Sequence, residues 1–198
     1  MTNTEAARLV ARGERLEYLT LWWNVVGVVV LAVAALAATS VALAGFGLDS
    51  VIEIGASLVV LWELRGDEGP RRRRALGLLA VAFGALALYL SAQGAVVIWT
   101  GHHAGPSDLG LAWTAATALV MWRLAGAKSR VGEALGNAVL VGEGHVTRVD
   151  AILAASVFVG VVANATLGWW WADPAAGFVL VFYAVRESHS LWRARGES

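Results

Sequence analysis

Six apolar runs, each near the length of a bilayer crossing, dominate this chain. They fall at about residues 19–38, 41–64, 75–100, 108–125, 149–168 and 172–190. A helix needs about 20 consecutive apolar residues to span the hydrocarbon of a membrane. Inside lipid every backbone N–H and C=O must be paired within the protein, so runs of this kind fold as helices. A barrel would require alternation of apolar and polar residues, and none is present. Hydrophobic residues make up 58% of the 198 and charged residues only 15%, against about 25% charged in soluble domains. Mean hydropathy is +0.65. One small core cannot hide so much apolar surface. The expected fold is all-α: a polytopic membrane protein with six transmembrane helices in a single domain over residues 1–198.

The three prolines fall at boundaries. Pro70 and Pro106 are expected in loops. Asp173-Pro174 reads as an N-cap followed by proline at the first helical position, which makes the Asp173 carboxylate a cap rather than a ligand. The fifth helix is expected to start near Gly132, ahead of its hydrocarbon segment. Lys and Arg set the orientation of such a chain. Arg8, Arg12 and Arg15 precede the first run, with Glu5, Glu14 and Glu17 among them in a short amphipathic lead-in. Arg65 and Arg71 to Arg74 separate the second and third runs, Arg123, Lys128 and Arg130 the fourth and fifth, and Arg186, Arg193 and Arg195 close the chain. The alternate loops, near 39–40, 101–107 and 168–172, carry none; only Arg148 breaks the pattern. Both termini are therefore expected in the cytoplasm, in a multi-pass protein of the cell (inner) membrane. Trp22, Trp23, Trp99, Trp122 and Trp169 to Trp171 lie where an aromatic belt would sit.

Net charge is zero and cysteine is absent. Bulk charge gives no case for nucleic acid, and the four arginines at 71–74 read as a topology anchor. Disulfides, thiolate ligands and cysteine catalysis are excluded. No Ser/His/Asp arrangement, His-Glu-x-x-His or P-loop is present, so neither an enzyme nor a resident cofactor is expected. No cleavable signal peptide, internal repeat or trailing soluble domain is expected either.

Chemistry is confined to polar residues at membrane depth. Asp49 and Glu53 stand at i and i+4 on one face of the second helix, with Ser57 continuing that face. A charged side chain at the bilayer centre costs roughly 2.5–3.5 kcal/mol on insertion scales. Two carboxylates this close repel, so one holds a proton or a cation sits between them. Binding of a metal displaces such protons. Structural bonding to a neighbouring helix is the competing reading, and the presence of two acids on one face favours a cation site. In the fifth helix Glu143, Val146, Thr147 and Asp150 share a face, while His145 and Arg148 point away. Asp150 is the best partner for the pair, with Thr147 beside it to complete an ion's shell; Glu143 lies nearer the cytoplasm, on an access path. Arg148 either snorkels to the interface or neutralises a carboxylate. Asn24 and Asn164 read as helix–helix bonds. His102, His103 and His189 read as solvated or interfacial.

The stretch Gly47-Leu48-Asp49-Ser50-Val51-Ile52-Glu53-Ile54-Gly55-Ala56-Ser57 resembles the second transmembrane helix of the cation diffusion facilitators. In that family two acids spaced four apart, often within Asp-Ser-x-x-Asp, bind the transported ion. The stretch Trp171-Ala172-Asp173-Pro174-Ala175-Ala176-Gly177 resembles the start of that family's sixth helix. The family's fifth helix usually offers His and Asp four apart. Here Asp150 holds the Asp position and Val146 the His position, which leaves three ligands, Asp49, Glu53 and Asp150, with His145 adjacent but off-face. The resemblance implies export of a divalent metal ion by proton antiport, with alternating access in a homodimer. An all-oxygen site is harder than the usual one, so manganese or iron is admitted as readily as zinc. The family's cytoplasmic C-terminal metal-binding domain has no counterpart, so the chain resembles a membrane-only branch. Two rivals remain: a non-transporting membrane subunit whose acids hold helices together, and a proton-coupled carrier of another cation.

Overall fold

The structure is a computed structural model and describes residues 3–63 and 70–197. The described residues form six helices and no strand: α1 (Asn3–Ala38), α2 (Val41–Glu63), α3 (Pro70–Thr100), α4 (Asp108–Leu135), α5 (Ala138–Leu167) and α6 (Ala172–Glu197). Five of them, α1 to α5, contain a segment long and apolar enough to cross a membrane. The chain is therefore a helical membrane protein. The sixth apolar run also forms a helix, but Arg186, Glu187 and His189 dilute it. The outer surface supports the same conclusion. Leu36 is 81% and Leu88 73% exposed, and a water-soluble monomer rarely presents apolar faces of this kind over its whole girth.

Several helices run past their apolar runs. α1 is continuous from Asn3, so the expected lead-in is part of the first helix. Its 36 residues rise about 54 Å at 1.5 Å each. α3 opens at Pro70 rather than following it in a loop, as suits a residue with no N–H to offer; the side chains of Arg71 to Arg74, and Arg65 altogether, lie outside the described residues. α4 continues through Lys128 to Leu135. Gly136 ends it in the left-handed conformation, φ 66°, and Asn137 caps α5 by accepting from the Leu140 N–H at 2.9 Å. Gly132 is thus inside α4 and not at the start of α5.

α2 lies at the centre, in contact with α1, α3, α5 and α6; α4 packs on α1 and α5, and α3 pairs with α6. Leu31, Leu43, Phe46, Leu90, Val157 and Leu180 fill the interior. Trp23 belongs to this packing and not to the belt: its ring stacks on Trp113 at 4.8 Å and its Nε1 donates to Thr117 Oγ1 at 3.0 Å.

The links 39–40, 101–107 and 168–171 gather at one end of the bundle. Gly105 N–H donates to Ala38 O at 2.7 Å, and Asn164 Nδ2 to Ala104 O at 2.7 Å. Asn164 therefore holds a loop, not a helix. His103 stacks on Trp170 at 5.1 Å. Asp173 is a cap, but for a different helix from the one expected. Its carboxylate accepts from Ser40 Oγ and from the Val41 N–H at 3.1 Å, so it satisfies orphan amides at the start of α2. α6 itself begins one residue earlier, at Ala172.

α4 and α5 touch backbone to backbone. A Cβ on Gly144 would stand 2.9 Å from Ser129 N and 3.1 Å from Ala125 O, and one on Gly132 2.7 Å from Val141 N. Gly144→Ala forces these helices apart, and overpacking of this kind costs about 1–3 kcal/mol. The expected result is a lower thermal midpoint in detergent, while Gly142→Ala, whose Cβ would meet nothing, leaves the midpoint unchanged.

Candidate functional site

Asp49 and Glu53 on α2 and Asp150 on α5 are 3%, 3% and 1% exposed. All three line one cavity of about 20 Å³, walled by Phe83, Val146, Leu153 and Leu180. That volume suffices for about one water-sized guest. Glu53 Oε2 and both oxygens of Asp150 have no hydrogen-bond partner. Buried polar atoms are nearly always paired, because an orphaned one forfeits its hydration without return. Three such oxygens around one cavity therefore mark a place where the structure tolerates a cost.

The same cavity takes Glu187 and Tyr183 from α6. Glu187 is half-buried and interacts electrostatically with Asp49. It was not foreseen, although Leu180, Tyr183, Ala184 and Glu187 follow the helical spacing of one face. The cavity is thus lined by four carboxylates from three helices. They share it without converging: among the described residues, no three His, Cys, Asp or Glu side chains form a group that could hold a metal ion as they stand.

Glu143 and Thr147 do share the buried face of α5 with Asp150, as the helical spacing requires. Their observed partner is a side chain of the protein itself. Lys128, fully buried, donates from Nζ to Glu17 Oε2 at 3.0 Å, to Glu143 Oε1 at 3.3 Å and to Thr147 Oγ1 at 3.1 Å. An ammonium has three donors, and all three are used. Lys128 is therefore an interior cation and not a loop charge, and Glu17 is an interior carboxylate. The signal for both was periodic. Thr114, Thr117, Met121, Ala125 and Lys128 form one buried stripe on α4, and Glu17, Thr20, Asn24 and Leu31 another on α1. Glu17 also has Ser57 of α2 as a close neighbour, so polar groups run from the cavity along both α2 and α5 to the lysine.

The remaining candidates stand aside. His145 is exposed, off the shared face. Arg148 lies over the ring of Trp122, 5.9 Å from its centroid, and does not plug the acids. His102 Nε2 meets Thr39 Oγ1 at 2.7 Å at the linked end.

No protein-family model and no curated protein sequence matches the chain. The resemblance to cation diffusion facilitators noted in the sequence is carried by the motifs at residues 47–57 and 171–177.

The two groups of acids differ in their dependence on charge. Asp150→Asn and Glu53→Gln replace costly buried carboxyl groups whose oxygens include unpartnered ones, so their thermal midpoints should equal or exceed the parent's. Glu143→Gln weakens a buried ion pair, and breaking such pairs costs about 3–5 kcal/mol, so its midpoint should fall. A fall in all three alike would identify the cavity acids as structural glue.

Proposed function

We propose that the chain is a proton-coupled transporter of a divalent cation, with Asp49, Glu53 and Asp150 as the groups that exchange the ion for protons. The observation that carries this reading is the placement of buried carboxylates, several of their oxygens unpartnered, around one water-sized cavity at membrane depth. Charge of one sign concentrated in low dielectric attracts a counter-ion, and in its absence favours protons on the acids. Protonated carboxyls need no metal and stand apart. Ionised ones draw together on a dication by rotation about their side-chain bonds, with water or Glu187 in the remaining positions. Release of the ion to one side and reprotonation from the same side would return the empty carrier.

The resemblance of residues 47–57 and 171–177 adds direction and assembly: efflux by metal/proton antiport, alternating access and a homodimer. Oxygen ligands alone place manganese and iron(II) beside zinc as cargo. Six membrane crossings with both termini in the cytoplasm complete this reading. Withdrawal of Lys128 from the loop charges leaves Arg123 and Arg130, both exposed, still on the expected side. A cell (inner) membrane location is part of the same proposal.

A second reading is a proton-coupled carrier of another cation. It draws on the lack, among the described residues, of a ready three-ligand metal group.

Purified protein in proteoliposomes tests both. A gradient of Mn²⁺, Zn²⁺ or Fe²⁺ should drive counterflow of protons, read by an internal pH dye. Asp49→Asn, Glu53→Gln and Asp150→Asn should each reduce it to the level of empty liposomes. Full flux in any one of them removes that residue from the site. Proton counterflow with a monovalent or organic cation, and none with the three metals, establishes the second reading instead.

A further inference from the structure

The ammonium of Lys128 sits in a cage of oxygens from two carboxylates and a hydroxyl, a donor set of the type that binds hard cations. The cage is immediately next to the cavity. Thr147 and Asp150 are three residues apart on one face of α5, a rise of about 4.5 Å, and Ser57, beside Glu17, is one turn below Glu53 on α2. Lys128 is near enough to interact with the charges of both Glu53 and Asp150. The interior thus holds two adjoining compartments of negative charge. One is answered by a cation on a flexible four-carbon tether; in the other, Glu53 Oε2 and both Asp150 oxygens have no partner.

We propose that Lys128 is a resident counter-cation that opposes the transported ion across these two compartments and so keeps its binding weak enough for release. This rests on the reading of Asp49, Glu53 and Asp150 as the cation site. A fixed positive charge within a few ångströms of a carboxylate group makes its ionised form tolerable when no ion is present. The same charge repels an arriving dication twice as strongly as a monovalent one. Tight binding is of no use to a carrier that must also let go. Glu17 and Glu143 are positioning residues here: they hold the ammonium and limit its excursion toward the cavity.

The test uses Mn²⁺ as probe, with binding to the purified full chain measured by calorimetry and turnover measured in proteoliposomes. Lys128→Gln removes the charge and leaves a hydrogen-bonding side chain. The double variant Glu17→Gln/Lys128→Gln replaces the ion pair by an amide pair and decides the matter if the single variant does not fold. Each should bind Mn²⁺ about tenfold or more tightly and turn over more slowly, whereas Lys128→Arg should restore parental values of both. A merely structural lysine does not move affinity and turnover in opposite directions. Folded variants that bind within about twofold of the parent, or more weakly, overturn the proposal and leave the cation site standing. Mn²⁺ binding by neither the parent nor the variants removes the cation site itself, and the role of Lys128 with it. Binding by the variants alone supports both.

Discussion

An unanswered charge in a medium that cannot solvate it is the constraint on which this structure turns. The interior holds one lysine and several carboxylates, and the lysine is fully committed to oxygens from α1 and α5. That commitment fastens three helices together, because removing the lysine would leave two carboxylates unpaired among apolar side chains. At the cavity, Glu53 Oε2 and both Asp150 oxygens receive no partner, and intramembrane acids of this kind are costly to keep.

The two ends of the bundle are built differently. At one, hydrogen bonds tie the three links to each other and to α5, and Asp173 ties the start of α6 to the start of α2. These contacts are mostly between backbone groups, or between short side chains and backbone, which leaves little slack. At the other end α4 and α5 turn tightly through Gly136 and Asn137, and the polar groups nearest that turn are long side chains. Lys128, Glu17 and Glu143 are held there through their tips.

Much of this was legible in the sequence. The apolar runs gave every helix, since continuous apolar runs without a barrel's alternation satisfy their backbone in lipid only as helices. The spacing of Asp49 and Glu53, and of Glu143, Thr147 and Asp150, placed each set on a buried face. What failed to show was partnership across distance. Lys128 and Glu17 are 111 residues apart, and near a helix end a long charged side chain has the same sequence context whether it reaches outward to water or inward to a carboxylate. Asp173 was read from its local neighbours as a cap on its own helix, whereas the amides it serves belong to a segment 132 residues away. The α4–α5 boundary was misplaced because two glycines look alike in sequence. Gly132 is needed for close approach and Gly136 for its backbone angle, and only three dimensions separate those reasons. Glu187 was within reach of the helical period, but its place among polar neighbours near the chain's end disguised it.

The close seam between α4 and α5 has a kinematic meaning. With no side chain between their backbones at Gly132 and Gly144, the two helices form one closely seated pair that bears both Lys128 and Asp150. α2, which bears Asp49 and Glu53, stands outside it. A shear between this pair and α2 would change how strongly the lysine is felt by Asp49 and Glu53 more than how strongly it is felt by Asp150, so sliding alone would convert displacement into a change of local field.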